Sequence, residues 1–200
     1  MAATTSKGKM PLLIGVGLLL IAVVYTVITY NKLVRQEEAV KLNWSELQNV
    51  YKRRLDMVPT LVTIVQGAAA FEKELLQEVV NARSKAGNLQ LSGEGVTFDN
   101  YSQQEAAQAE LANGMSRVLA VIEAYPDLKA TKSFQYLQSQ LEGTERRIKF
   151  ARKDFNAAVN VYNTSVRQLP SSLVATVLGF KVKEGFKADA GADNAPEVKF

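Results

Sequence analysis

Between Met10 and Asn31 the chain carries no charged residue, and from Lys32 to Gln168 apolar side chains return at intervals of three and four. The first pattern reads as a membrane span. The run from Leu12 to Tyr30 is long enough, at about 1.5 Å per residue, to cross a hydrocarbon core of about 30 Å. Pro11 opens it, where a missing N–H costs nothing, and Tyr25 and Tyr30 lie towards its far end, where phenol rings favour the headgroup layer. A cleaved signal peptide would carry an apolar run of roughly 7 to 15 residues and a small-residue cleavage site, whereas this run is longer and ends in Val27-Ile28-Thr29-Tyr30-Asn31. No helix breaker separates the two patterns. One long helix is therefore expected from Met10 to Asp56, half in a bilayer and half out.

The outer half of that helix carries Leu33, Val40, Trp44, Leu47, Tyr51 and Leu55 in one stripe, broken where Glu37 falls in register. Lys52, Arg53 and Arg54 fit a last turn, where cations complement the negative end of the macrodipole. Asp56 then suits the N-cap of a second helix, with Pro59 tolerated in its first turn. That helix would carry Leu61, Val65, Ala68, Leu75, Val79 and Ala82, and the run Ala68-Ala69-Ala70 would let a neighbour approach closely. The stretch from Gly87 to Asn100 gains three glycines and loses helical period, which predicts a long loop. Ser102 with Glu105 forms a capping box before a third helix on Leu111, Met115, Val118 and Ile122, closed by Tyr125-Pro126-Asp127. A fourth helix runs from about Thr131 to Gln168 on Phe134, Leu137, Leu141, Thr144, Ile148, Ala151, Phe155, Ala158 and Tyr162. The expected fold is all-α: an N-terminal transmembrane helix continuing into an up-and-down antiparallel four-helix bundle with long helices.

Leu169 to Phe180 is too apolar for a free linker and too short to span a membrane. Ser171-Ser172 after Pro170 can start a short helix, and Gly179 can end it. We expect that helix at the membrane interface or against a neighbouring protomer's base, presenting Leu173, Val174, Val177, Leu178 and Phe180; the alternative is a fold-back over the bundle's open end. The last twenty residues should be loosely ordered apart from a contact by Val198 and Phe200. The segments are then a polar N-terminus (1–9), an anchor (10–31), a helical bundle (32–168), an interfacial segment (169–180) and a tail (181–200).

Charge and composition narrow the chemistry. The net charge of +4 comes from 24 basic and 20 acidic residues that are interspersed, which argues against a nucleic-acid partner. There is no cysteine and no histidine. Disulfides and lipidated anchors are excluded, and zinc sites, the usual bases for nucleophilic catalysis and the Glu-x-x-His pairs of a di-iron bundle have no ligands to draw on. We therefore expect no enzyme activity, no cofactor, no metal and no catalytic residue. Arg146, Arg147 and Lys149, with Arg152 and Lys153 beyond, could face lipid or a partner, although Glu142 and Glu145 stand four residues before Arg146 and Lys149, the spacing of ordinary solvated helix pairs. Tyr125-Pro126-Asp127 is a candidate partner contact, because a tight turn needs proline and aspartate but not the tyrosine. Lys7 and Lys9 precede the span while Lys32, Arg35 and Lys41 follow it, so charge leaves the orientation open.

Four separated blocks resemble the bacterial LemA family. They are Tyr30-Asn31-Lys32-Leu33-Val34; Trp44 followed by Lys52-Arg53-Arg54-Leu55-Asp56-Met57-Val58-Pro59-Thr60-Leu61-Val62; Glu123-Ala124-Tyr125-Pro126-Asp127-Leu128-Lys129-Ala130; and Leu141-Glu142-Gly143-Thr144-Glu145-Arg146-Arg147-Ile148. Phe71-Glu72 departs from the His-Glu pair of many members, so no role for that histidine carries over. The resemblance implies a short anchor, a helical bundle and no established biochemical activity, in genes that neighbour membrane metalloproteases and TPM-domain proteins. The function expected is a non-enzymatic scaffold or adaptor of the bacterial envelope, single-pass in the inner membrane. Its partners would be the lipid bilayer, a second copy of itself through the small Gly15 and Gly17, and an envelope protein such as a membrane metalloprotease or TPM-domain protein. The rival is a protein that binds or remodels anionic bilayers.

Overall fold

The computed structural model describes residues 10–67, 72–91 and 101–186, and every regular element among them is helical. In chain order these are α1 (Met10–Gln66), α2 (Lys73–Leu91), α3 (Tyr101–Ile122), the single turn α4 (Pro126–Lys129), α5 (Lys132–Arg167) and α6 (Ser171–Val177). The structure divides into two compact units: residues 10–41 with 158–183, and residues 42–157 with 184–186.

In the larger unit four helices share one core. Leu55, Val58, Leu61 and Val65 come from α1, Leu75, Leu76, Val79, Ala82 and Ala86 from α2, Ala107, Leu111, Met115, Val118 and Ile122 from α3, and Phe134, Leu137 and Leu141 from α5. The close approach of small residues falls on α2 and α3, where a Cβ on Gly114 would meet Val79 Cγ2 at 3.2 Å. The run Ala68-Ala69-Ala70 lies outside the described residues. A second group of rings in this unit joins Trp44 and Phe155 to Phe186, at centroid distances of 5.4 and 6.2 Å from Trp44.

The expected reversal at Asp56 is not there. α1 passes through it and continues to Gln66, with Pro59 inside the helix. Phase is one reason: the buried positions Leu47, Tyr51, Leu55, Val58, Leu61 and Val65 keep a single three-four register across Asp56. The other is chemical. Proline at position 59 removes the N–H that would bond the carbonyl of Leu55, and an interior proline ordinarily costs ~3 kcal/mol or more. Here Arg83 Nε donates to Leu55 O at 2.9 Å, so a guanidinium from α2 replaces the missing backbone donor. The chain turns later, between Gln66 and Lys73.

Three more readings change. Helix α2 extends to Leu91, so the expected loop loses its first five residues to helix, and 92–100 lie outside the described residues. Lys52, Arg53 and Arg54 sit in mid-helix, and Arg54 is buried rather than a helix-end device. Residues 181–186 carry no regular secondary structure and are held by two asparagines. Asn163 donates to Lys183 O at 2.6 Å and accepts from Lys183 N at 2.8 Å, in the smaller unit. In the larger unit Asn156 does the same for Phe186, at 3.0 and 2.8 Å. Each amide satisfies both backbone groups of one residue, as a neighbouring strand would. Val198 and Phe200 lie outside the described residues.

Elsewhere the periodicity was a good guide. Helix α3 buries Leu111, Met115, Val118 and Ile122, and α5 buries every residue of the expected stripe except Ala158, which is half-buried. The start of α5 is capped by Thr131, whose Oγ1 accepts from the Phe134 N–H at 3.3 Å.

Candidate functional site

In the smaller unit Leu33 and Val40 of α1, Val159, Tyr162 and Val166 of α5 and Ala175 of α6 are buried. Glu37, the residue that interrupts the apolar stripe of α1, meets Lys183 Nζ at 2.8 Å. Lys183 also lies over the Tyr162 ring, 5.1 Å from its centroid. The Tyr162 hydroxyl donates to Lys181 O at 3.0 Å. Burial, with the nearby Glu37 charge, pushes its phenol up to about 12. These contacts tie the chain after α6 back to α1 and α5.

Helix α6 forms where serines, Pro170 and Gly179 predicted it. Ser171 Oγ bonds Ser165 O and Gln168 O at 2.6 and 2.7 Å, and Gly179 ends the helix with φ of 78°, a left-handed conformation that glycine adopts without strain. Ala175 is its buried contact. Phe180 meets the Tyr30 ring edge-on at 5.9 Å, so the segment ends beside the last turn of the uncharged stretch of α1. Leu169, Leu173 and Val177, spaced four apart, are 72, 66 and 84 % exposed; Val174 is half-buried and Leu178 exposed. An isolated exposed leucine is ordinary, but Leu173 and Val177 on one side of a two-turn helix, with Leu169 exposed just ahead of it, need an apolar or mixed environment. The segment is therefore not wholly core, nor wholly free of it.

The remaining candidates belong to the larger unit. Arg146, Arg147 and Lys149 are exposed on α5. The expected pair of Glu145 with Lys149 gives way to a different one: Arg54 donates to Glu145 through Nε at 2.8 Å and through Nη2. Glu142 accepts from Gln138 at 3.2 Å. Tyr125 is half-buried and packs on the core, while Pro126 and Asp127 are exposed. Its carbonyl accepts from Lys129 N, closing α4. The tyrosine thus has a packing role at this corner, and the exposed features are the proline and the carboxylate.

The feature that periodicity passed over is a polar layer inside the same unit. Arg54, 3 % exposed, also donates through Nη1 to Gln108 O and Oε1 at 3.1 and 3.2 Å. Arg152 donates to the Tyr51 hydroxyl at 3.0 Å, pairs with Glu105 at 3.5 Å and stacks on the Phe186 ring at 5.0 Å. Burial raises the Tyr51 phenol above its ordinary range, and the Arg152 and Arg54 charges oppose that. Gln104 is fully buried beside it in sequence register, with neither amide atom bonded to protein. The signal was available: Arg54, Gln104 and Gln108 all fall in phase with buried apolar positions. A groove of about 630 Å³ between α1 and α2 is lined by Asn49, Lys52, Asp56, Arg83 and Ser84 among others. Among the described residues no group of three or more acidic side chains stands together in a way that could hold a metal ion.

A model of the LemA family matches residues 43–200. Magnetosome protein MamQ 2 of Paramagnetospirillum magneticum is 25 % identical over 181 residues, covering 82 % of this chain and 66 % of that protein. MamQ of Magnetospirillum gryphiswaldense is 23 % identical over 206 residues, with 94 % of this chain and 76 % of that protein covered. Protein LemA of Metamycoplasma hominis is 23 % identical over 152 residues, covering 74 % and 64 %. The chain spans about two thirds of the length of the first of these relatives, and none of the three is named as an enzyme. With α1 long and apolar enough to cross a membrane, it is a membrane-associated helical protein. The match over residues 43–200 makes this chain a member of the LemA family.

Proposed function

We propose that this protein is a single-pass, non-enzymatic scaffold or adaptor of the bacterial inner membrane that self-associates and presents its helical body to other envelope proteins. One observation carries the reading. Leu12, Leu13, Leu18, Leu19, Ile21 and Ile28 are all more than half exposed around a helix that continues, with no break, into the apolar core of the larger unit. A helix that exposes leucine and isoleucine on every face is stable only in an apolar solvent. Residues 10–31 serve as anchor, 32–168 as the helical body and 169–180 as an interfacial segment whose Leu173, Val177, Leu178 and Phe180 meet the bilayer boundary. Two of the relatives are named as magnetosome proteins, a name that fits work in a larger assembly. A membrane metalloprotease or a TPM-domain protein would be a partner of the expected kind, docking at the exposed Pro126 and Asp127.

Crosslinking in native membranes at endogenous level tests the self-association. The absence of cysteine lets one be introduced at a chosen site, such as Leu13→Cys in the anchor. Disulfide-linked dimers are expected, and a protein that stays monomeric would remove the oligomer from the reading. The alternative, a protein that binds or remodels anionic bilayers, is favoured by the exposed stripe of α6.

A further inference from the structure

The charges around α6 are unbalanced. The described part of the smaller unit holds six cations, Lys32, Arg35, Lys41, Arg167, Lys181 and Lys183, and two carboxylates, Glu37 and Glu38. Both carboxylates are taken, Glu38 by Lys41 at 2.6 Å and Glu37 by Lys183 at 2.8 Å. Lys32, Arg35, Arg167 and Lys181 remain, all exposed, and none pairs with a carboxylate among the described residues. Their positions are related. Lys32 lies two residues beyond Tyr30, whose ring meets Phe180, and Lys181 directly follows Phe180. Arg167 ends α5 two residues before the exposed Leu169. Four unpaired cations thus flank an exposed apolar stripe at the end of the uncharged stretch of α1.

We propose that Lys32, Arg35, Arg167 and Lys181 form a binding site for anionic phospholipid headgroups in the leaflet beside α6. The combination decides the class of ligand. A phosphodiester headgroup supplies the missing negative charge, and the acyl boundary beneath it supplies an apolar medium for Leu169, Leu173 and Val177. An acidic soluble protein would answer the cations but leave the stripe in water. A second copy of the chain would cover the stripe and bring the same positive charges together. The two arginines add planar, multi-donor groups suited to phosphate oxygens. The exposed Arg146, Arg147 and Lys149 are not members of this site. The inference rests on the placement of α6 at the bilayer boundary.

The experiment uses the full chain, reconstituted in bilayers of equal phosphatidylglycerol and phosphatidylcholine. The protein is then extracted gently, and the lipid that stays bound is measured by mass spectrometry. The wild type should retain phosphatidylglycerol over phosphatidylcholine by roughly three- to tenfold, less at 1 M salt, as expected for several cations at an anionic surface. K32Q/R35Q/R167Q/K181Q should retain the two lipids in the bulk ratio, whereas K32R/R35K/R167K/K181R should keep the selectivity. Equal retention by the wild type, or selectivity that survives the glutamine variant, overturns the proposal. A fluorescent label on L173C in the same bilayers, challenged with brominated lipid, separates this failure from that of the underlying reading. Quenching without lipid selection overturns only the headgroup site. No quenching, or a disulfide between two copies of the unlabelled L173C protein, overturns the placement of α6 and the site with it.

Discussion

Two regions of this molecule break the rule of apolar inside and polar outside, in opposite senses. Along residues 12–28 of α1 leucines, isoleucines and valines stand exposed, and in the larger unit Arg54, Gln104 and Gln108 are buried. The first violation has no compensation among the described residues, where no contact covers those side chains, and membrane association is what would supply one. The second is compensated internally at Arg54, while Gln104 keeps both amide atoms without a protein partner. Arg54 reaches a carboxylate, a backbone carbonyl and a side-chain amide through three of its nitrogens. An exposed apolar surface thus indicates an external medium, whereas a buried charge indicates a partner to be found in the fold.

Removing the internal partner should break the comparison most sharply. Arg54→Ala strips Glu145 and Gln108 of their shared donor; Glu145 is half exposed and can be hydrated, but the buried acceptors of Gln108 cannot, which should cost ~2–3 kcal/mol. Denaturant unfolding of the detergent-solubilised full chain measures it, and a loss under ~1 kcal/mol would mean that the layer is hydrated and weak. Next in size is Arg83→Ala, which orphans the carbonyl of Leu55 and should cost ~1–2 kcal/mol. In the background of Pro59→Ala, where the backbone donor is restored, the same change should cost markedly less. Equal losses in both backgrounds would dissociate Arg83 from the proline.

Tyr162 gives a smaller, pH-dependent effect. Its phenol ionises at about 12 in the folded protein against about 10 in a free chain, so the folded state holds the proton more tightly. That contribution is complete below pH 10 and is lost as pH rises towards 12. Tyr162→Phe should cost ~1 kcal/mol at neutral pH, from the bond to Lys181 O, and should make the decline between pH 10 and 12 shallower. A decline as steep as in the wild type would assign it to other groups. The smallest effect is expected on the exposed side of the comparison. Leu173→Asp with Val177→Asp should change stability in detergent by under ~0.5 kcal/mol, because both side chains already face outward. A collapse would show α6 to be core.

Helices whose signals are local were readable from the residues alone. The bounds of α5 and α6 follow from Thr131, the unbroken stripe, Ser171-Ser172 and Gly179, each acting within a turn or two of its own position. The turn misplaced at Asp56 failed for the opposite reason. Asp56 and Pro59 together are a good local start signal, and the donor that neutralises the proline comes from a residue 28 positions away. Glu37 and Arg54 belong to the same class: their phase announced burial, but Lys183 and Glu145, which make burial tolerable, are 146 and 91 residues distant. Within the candidate site, the exposed leucine and valine of α6 were legible. The four cations that pair with no carboxylate among the described residues were not, since which charges stay unpaired depends on which carboxylates tertiary contacts have already taken.

The bond from Arg83 to Leu55 O also constrains the order in which substitutions can accumulate as sequences diverge. A lineage that replaces Pro59 regains a backbone donor and can then lose Arg83 at little cost. A lineage that loses Arg83 first must carry a helix with an unanswered carbonyl until the proline changes too. The two positions are therefore joined by a one-way dependence: descendants with neither residue, or with arginine alone, are accessible by single steps through stable proteins, and descendants with proline alone are the ones selection should leave rare.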